Sequence, residues 1–266
     1  MSSTPFTEET LGVGDTSVRV LSGGKGEPLL FLHGAGSAGM WLPVHERLAE
    51  HFRVIAPVCP GFGGTTRPEW LDRVDDLTLH HADLLGALNL PKARVLGVSV
   101  GGWMAADLAA KYPERVSKLV LVGASGLSIA EAPIPDIFAM PMESLLPLLF
   151  EDLSAALALL PGSMDQAFIE DQLRERATLA HLAWNPHFHD PKLPRRLARV
   201  TAPTLLLWGE KDRFTPVPHG KAYERLIAGA RLVVIPACGH VPSVERVDDF
   251  CAAVIPFLKG SRGDPA

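Results

Sequence analysis

Seven short apolar segments recur along the chain, and most of them do not alternate apolar with polar residues. Strands covered on both faces of a parallel sheet have this composition. Segments with helical periodicity lie between these runs, which favours a doubly wound, mostly parallel α/β sheet. The predicted strands are Ser17–Leu21, Pro28–Leu32, Phe52–Pro57, Ala93–Val98, Lys118–Val122, Pro203–Trp208 and Arg231–Ile235. The predicted helices are Trp41–Glu50, Thr78–Leu90, Gly102–Lys111, Val217–Ile227 and Val244–Leu258.

One long segment interrupts the alternation of strands and helices. From Ser128 to Leu197 there is no strand-like run, and methionine and leucine recur at helical spacing. We interpret residues 128–197 as a helical insertion that forms a lid (cap) over a substrate pocket. Residues 1–127 and 198–266 then form a single α/β core, and a chain of 266 residues is long enough to bury one.

The strongest local motif is Gly97-Val98-Ser99-Val100-Gly101, a G-x-S-x-G pattern between a predicted strand and a predicted helix. In that context the pattern is typical of a sharp turn that exposes a nucleophilic serine. Side chains at Gly97 and Gly101 would collide with the neighbouring strand and helix. Ser99 would stand at a helix N-terminus, where free N–H groups favour developing negative charge.

A serine nucleophile needs a base, and the base needs a carboxylate to orient it. His240 is the candidate base, because it follows the last predicted strand in the segment Gly239-His240-Val241-Pro242. Asp212 is the candidate carboxylate, because it follows the strand Pro203–Trp208; Glu210 is its rival in the same loop. The resulting chain order is serine, aspartate, histidine.

With these motifs the chain resembles the α/β-hydrolase superfamily, in particular its lid-bearing, serine esterase-like members. The segment from Leu32 to Ser37, which reads Leu-His-Gly-Ala-Gly-Ser, resembles the family's oxyanion loop. The resemblance implies that the backbone N–H groups of Ala35 and Val100 form the oxyanion hole. It also implies that His33 is structural and not catalytic.

The predicted activity is hydrolysis of carboxylic esters through an acyl-enzyme intermediate. An alternative is a C–C bond hydrolase of ring-cleavage diketones; such relatives usually have a longer glycine-rich oxyanion loop and an aromatic residue where this chain has Val241. A lactonase or a cofactor-free perhydrolase would use the same three side chains. A small-molecule binder on the same scaffold is the non-enzymatic alternative. Epoxide hydrolases and haloalkane dehalogenases are disfavoured, because they need a carboxylate at position 99.

We predict a small-molecule ester substrate with an apolar portion. Met140, Met142 and Trp184 are the candidate substrate-binding residues. The net charge of −5 has no basic patch or polybasic run, which disfavours nucleic acid and membrane partners. No phosphate-binding loop and no standard metal-ligand spacing occurs, so we predict neither cofactor nor metal. Three scattered cysteines and an N-terminus without signal character indicate a cytoplasmic protein; the oligomeric state stays open.

Overall fold

The computed structural model describes residues 5–157 and 165–260 of the chain. Its centre is an eight-stranded sheet with the order β1-β2-β4-β3-β5-β6-β7-β8. The pairs from β4 to β8 are parallel, whereas β1 pairs with β2, and β2 with β4, antiparallel. The strands are β1 (Phe6–Val13), β2 (Thr16–Gly23), β3 (Pro28–Leu32), β4 (Arg53–Pro57), β5 (Ala93–Val98), β6 (Val116–Val122), β7 (Thr204–Gly209) and β8 (Arg231–Ile235).

Helices cover both faces of this sheet. They are α1 (Pro43–Ala49), α2 (Val74–Ala87), α3 (Val100–Lys111), α4 (Leu145–Leu149), α5 (Leu153–Leu157), α6 (Gln166–Ala183), α7 (Leu193–Leu197), α8 (Val217–Leu226), α9 (Pro242–Glu245) and α10 (Val247–Lys259). One apolar cluster joins α2, α3 and α8 to the sheet, and a second joins α1 and α10 to its other face. The predicted doubly wound, mostly parallel α/β sheet is therefore confirmed.

The predicted elements match the observed ones closely, with two differences. Strand β1 was not predicted, because it is an edge strand whose first five residues are exposed and so carries no apolar run. It folds back on β2 through a tight turn at Gly14, whose φ is +58°. The predicted last helix divides into α9 and α10, since Arg246 leaves helical geometry with φ −135° and ψ 55°.

Between residues 128 and 197, the described part of the chain contains helices α4 to α7 and no strand. An isolated bridge joins His189 to Gly126. Helix α7 is tied to the core by Arg196, which contacts Asp107 of α3 at 2.6 Å and Asp190 at 2.6 Å. Residues 158–164 of the predicted insertion lie outside the described residues, and the division into core and lid stays a prediction.

Candidate active site

Ser99 lies on the turn between the last residue of β5 and the first residue of α3. Its backbone has φ 56° and ψ −118°, a combination that residues with side chains rarely adopt. The Ser99 N–H donates to the carbonyl of Val122 at 2.8 Å, which ties the turn to the end of β6. The serine is half-buried.

The two glycines that flank Ser99 are required by close backbone contacts. A Cβ atom on Gly97 would lie 2.1 Å from the carbonyl oxygen of Gly101 in α3. A Cβ atom on Gly101 would lie 2.3 Å from the carbonyl oxygen of Leu32 at the end of β3. The steric reason that the sequence analysis gave for these glycines is confirmed.

His240 reaches the serine from the loop after β8. Its Nε2 lies 2.9 Å from Oγ of Ser99, and its Nδ1 lies 2.8 Å from Oδ2 of Asp212. The imidazole is buried, and the His240 backbone N–H donates to the carbonyl of Leu149 in α4 at 2.7 Å. Gly239 does not have a positive φ. A glycine is needed there for space, because a Cβ would lie 2.7 Å from the same Leu149 carbonyl.

The carboxylate of Asp212 is buried and fully engaged. Oδ1 accepts the backbone N–H groups of Phe214 and Thr215 at 2.9 and 2.8 Å. Oδ2 faces both His240 and the Thr215 hydroxyl, which lies 2.9 Å away. Its rival Glu210 is exposed and accepts the N–H of Ala237 at 3.2 Å. The structure therefore brings Asp212, and not Glu210, to the histidine.

A tight turn from Gly34 to Ser37 (the Gly34–Ser37 turn) lies beside the serine. A Cβ on Gly34 would lie 3.3 Å from Cβ of Ser99, so the two backbones are in close contact. The N–H of Ala35 has no hydrogen-bond acceptor among the described residues. Val100 is the first residue of α3, a position whose N–H has no acceptor within the helix. These two N–H groups are the predicted oxyanion donors.

His33 supports this turn and has no part in proton transfer. Its Nδ1 lies 3.0 Å from the carbonyl oxygen of Gly34, and its Nε2 accepts the N–H of Cys59 at 3.0 Å. Burial lowers the pKa of His33 from 6.5 to about 4. The ring is therefore neutral, donates through Nδ1 and accepts through Nε2, as a structural histidine does.

Of the three predicted substrate-binding residues, the structure describes the side chains of Trp184 and Met140. Trp184 is 57% exposed and contacts Phe138 with its ring tilted by 32°. It lies at the outer end of a series of contacting rings that continues through Phe188 and Phe214 to His240. Met140 is half-buried and lines an open cavity of about 540 Å³, together with Leu148, Phe150 and Arg213. The side chain of Met142 lies outside the described part of the structure. Their role in binding stays a prediction.

The segment from His187 to Asp190 holds two histidines and an aspartate, and each of these side chains has a hydrogen-bond partner. His187 Nε2 lies 3.3 Å from the carbonyl of Pro135, and His189 Nδ1 lies 3.0 Å from the carbonyl of His187. Asp190 accepts from Arg196 at 2.6 Å. No group of three potential metal ligands occurs within the described ranges. In these same ranges no helix combines the length and apolar character needed to cross a bilayer.

Three residues at the site were not predicted to act there. Thr215 contacts the carboxylate of Asp212 through its backbone N–H and its hydroxyl. Its position three residues after an aspartate could have indicated a turn in which the carboxylate accepts backbone N–H groups. Glu245 of α9 accepts the N–H of Gly239 at 2.9 Å and so holds the His240 loop. Glu175 of α6 accepts the N–H of Gly36 at 3.0 Å across 139 residues of sequence, and no local pattern could have indicated it.

Comparison with known proteins gives a consistent result. A sequence model described as the alpha/beta hydrolase family matches residues 29–253. A 2-hydroxy-6-oxo-6-(2'-aminophenyl)hexa-2,4-dienoic acid hydrolase of Metapseudomonas resinovorans is 31% identical over 97% of this chain and 92% of its own. A 2-hydroxy-6-oxo-6-phenylhexa-2,4-dienoate hydrolase of Burkholderia cepacia is 32% identical over 93% of each chain.

Solved structures with the same fold include hydrolases of two kinds. A meta-cleavage product hydrolase from Pseudomonas fluorescens IP01 superimposes with a TM-score of 0.76 at 26% identity, over 94% of this chain and 97% of the other. A membrane phospholipase A, described as a bacterial virulence factor, superimposes with a TM-score of 0.77 at 26% identity, over 97% and 87%.

Proposed function

Because the chain belongs to the alpha/beta hydrolase family, we propose that it is a serine hydrolase that cleaves a carbon–carbon bond in 2-hydroxy-6-oxo-dienoate ring-cleavage products. The observation that carries the proposal is the likeness to hydrolases of such compounds, at 31 and 32% identity over 97 and 93% of this chain. The row formed by Ser99, His240 and Asp212 supplies the chemistry that the proposal needs.

The proposed first step is attack of Ser99 on the 6-oxo carbon of the substrate. His240 Nε2, 2.9 Å from the serine oxygen, takes the hydroxyl proton as the new carbon–oxygen bond forms. The buried Asp212 carboxylate fixes the ring with Nδ1 protonated and stabilises the imidazolium that results. The carbonyl electron pair moves to oxygen, and we propose that the N–H groups of Ala35 and Val100 bind this oxyanion.

The second step breaks the bond between C5 and C6. It proceeds from the keto tautomer, in which the 2-hydroxyl proton has moved to C5. The released electron pair is then delocalised from C5 over the C3–C4 double bond and the 2-oxo group. The 2-oxygen of the resulting dienolate takes the proton from His240, and the fragment leaves as a 2-hydroxydienoate. Water, deprotonated by the same histidine, finally cleaves the acyl-serine and regenerates the free hydroxyl.

Ester hydrolysis is the second candidate function, and specific observations favour it. The loop of this chain reads His-Gly-Ala-Gly-Ser, and Val241 follows the histidine, which are the two departures from ring-cleavage hydrolases described above. The likeness to a phospholipase A structure points the same way. An acyl-serine would also form from an ester, and the leaving alcohol would then take the proton that the dienolate oxygen takes in the first candidate reaction. The hydrolase relatives stand against a purely binding role.

The experiment compares the two substrate classes on one enzyme preparation. The purified protein receives 2-hydroxy-6-oxo-6-phenylhexa-2,4-dienoate in one series and p-nitrophenyl acetate and butyrate in the other. The proposal expects kcat/KM for the dienoate to exceed that for either ester, with benzoate and a five-carbon hydroxydienoate as products. Turnover of the esters alone would replace the first candidate with the second. Ser99→Ala, run in parallel, reports any background reaction.

A further inference from the structure

We propose that Glu175 of α6 is a positioning residue that fixes the Gly34–Ser37 turn, and thereby the Ala35 N–H, for the reaction at Ser99. The inference rests on the proposed function, since it assigns a supporting role at the same site. It links a helix of the predicted insertion to the atoms that bind the oxyanion. The link is made by two backbone hydrogen bonds to one buried carboxylate.

The direction of the Ala35 N–H follows from the carbonyl that shares its peptide plane. The Gly34 carbonyl oxygen accepts from His33 Nδ1 at 3.0 Å, from Ser37 Oγ at 3.2 Å and from Ser37 N at 3.4 Å. A peptide group is planar and trans, so its N–H points opposite to its C=O. These three donors therefore direct the Ala35 N–H away from His33 and Ser37.

Glu175 fixes the next peptide plane of the same turn. Its Oε2 accepts the N–H of Gly36 at 3.0 Å. Gly36 is the third residue of the turn and has φ +82°, the value that a type II turn requires there. Type I and type II turns differ by a flip of the peptide between Ala35 and Gly36. A carboxylate on the Gly36 N–H therefore selects one of the two turn geometries.

The second oxygen of Glu175 ties the turn to a neighbouring loop. Oε1 accepts the N–H of Gly63 at 2.8 Å. Gly63 in turn lies against Ala38, the residue that follows the Gly34–Ser37 turn, because a Cβ on Gly63 would be 3.2 Å from Cβ of Ala38. Glu175 is only 5% exposed, and this burial raises its pKa. Among the described residues, these two N–H groups are the only hydrogen-bond donors to the Glu175 carboxylate. Burial of a carboxylate destabilises the folded state unless such hydrogen bonds form.

Helix α6 also contacts this region by simple packing, which offers a matched control. Thr178, one turn after Glu175, is buried, and its methyl carbon would lie 2.7 Å from a Cβ on Gly61. Thr178→Ala loosens the docking of α6 while leaving both carboxylate bonds in place. Glu170→Ala, on the exposed part of the same helix, removes a carboxylate that contacts Gln166 and neither loop.

The test measures turnover and inhibition for the full-length wild type and for Glu175→Gln, Glu175→Ala, Thr178→Ala and Glu170→Ala. Both Glu175 variants should lose kcat by about 10- to 100-fold with KM changed less than about 3-fold, because a displaced oxyanion donor acts in the transition state. Glutamine keeps one acceptor oxygen and turns an NH₂ group toward the other N–H, so it should not restore kcat. The two control variants should stay within about 3-fold of wild-type kcat.

Inhibitors provide the readout that a purely structural role would not move. Phenylboronic acid forms a tetrahedral adduct on Ser99 that uses the oxyanion donors, whereas benzoate binds without one. In Glu175→Ala the inhibition constant of phenylboronic acid should rise in step with the loss of kcat, and that of benzoate should stay within about 2-fold.

Four results would decide against the inference or its premise. Wild-type kcat in Glu175→Ala overturns it, and so does an equal loss of kcat in Thr178→Ala, which would reduce Glu175 to a docking residue. If the wild type turns over p-nitrophenyl acetate and not the dienoate, the proposed substrate class fails. The variants are then compared with p-nitrophenyl acetate as the substrate. If wild type turns over neither, the proposed function and this inference fall together.

Discussion

The hydroxyl oxygen of Thr215 lies 2.9 Å from Oδ2 of Asp212, the same oxygen that faces the His240 ring. It also lies 3.2 Å from Nδ1 of His240 and 3.0 Å from the carbonyl oxygen of Gly123. A hydroxyl has one proton, so it can donate to either the carboxylate or the carbonyl at any moment. Thr215 therefore contacts both Asp212 and His240 and helps to orient the imidazole.

Thr215→Val should lower kcat about 3- to 10-fold and leave KM unchanged. Valine keeps the shape and the backbone N–H that Asp212 accepts, and it removes only the hydroxyl, a contact of about 1 kcal/mol. Steady-state kinetics on the better of the two proposed substrates measures the effect. Thr204→Val, which removes another buried hydroxyl that bonds to the carbonyl of Ala202, is the matched control. An equal kcat loss in both variants would contradict a role for Thr215 at the imidazole.

Ser99→Ala should reduce kcat at least about 10⁴-fold, because it removes the hydroxyl that forms the acyl intermediate. The thermal midpoint should stay within a few degrees of wild type, since the strained backbone at Ser99 has no side-chain cap to lose. A fluorophosphonate probe should label wild type at Ser99 and leave the variant unlabelled. Labelling of a different residue in the wild type would show that the nucleophile is misassigned.

Asp212→Asn and Glu210→Gln separate the two carboxylates of one loop. Asparagine in place of Asp212 offers an NH₂ group to Nδ1 of His240 and favours the wrong tautomer, so kcat should fall by about 10⁴-fold. Glu210 is exposed and far less constrained, and its glutamine variant should keep kcat within about 2-fold of wild type. The pair is measured on one substrate at pH 8. A large loss in the Glu210 variant would reverse the assignment.

The fold was largely predictable because its strands are buried on both faces. Pro28–Leu32 and Ala93–Val98 have the predicted bounds, since an uninterrupted apolar run marks a covered strand. Strand β1 has no such run, and only the turn at Gly14 could have indicated it. Edge strands take their stability from pairing with a neighbour, which a single-sequence pattern does not show.

At the site, sequence reasoning found the residues that chain position and type make recognisable. Ser99, Asp212 and His240 each follow a strand, and parallel strands bring their carboxyl ends to one edge of the sheet. Glu175 acts through backbone N–H groups of two distant loops, at Gly36 and Gly63. A contact of this kind depends on how two loops pack, and it leaves no periodicity or spacing in the sequence.

Two buried histidines should make the fold acid-labile between pH 6.5 and pH 4. Burial lowers the pKa of His33 from 6.5 to about 4 and that of His45 from 6.5 to about 3. The His33 ring accepts the N–H of Cys59, and the His45 ring accepts the N–H of Leu42. Protonation of the accepting nitrogen would place two N–H donors face to face and break the hydrogen bond. The unfolded chain binds these protons first, so the free energy of unfolding falls as the pH drops below 6.5.

Thermal melts at pH 7.5, 6.0 and 5.0 measure this effect, and the midpoint should fall steadily across the series. His45→Gln should flatten the fall, because a glutamine oxygen at the third position of α1 accepts the Leu42 N–H without titrating. His51→Gln, in the loop after α1, should keep the wild-type slope. A midpoint that is independent of pH from 7.5 to 5.0 would contradict neutral rings at both positions.

Arg196 should hold α7 to the core through a carboxylate that has no access to water. The side chain of Asp107 in α3 is 0% exposed and lies 2.6 Å from Arg196 and 2.8 Å from Lys111. Arg196→Met leaves this buried charge with Lys111 alone, and removal of one partner of a buried ion pair costs about 3 kcal/mol. Urea unfolding should show a loss of at least about 2 kcal/mol with an unchanged slope. Arg195→Met changes the exposed neighbouring residue, and its free energy of unfolding should stay within about 0.5 kcal/mol of the wild-type value. An equal loss in both variants would assign the effect to the helix and not to the ion pair.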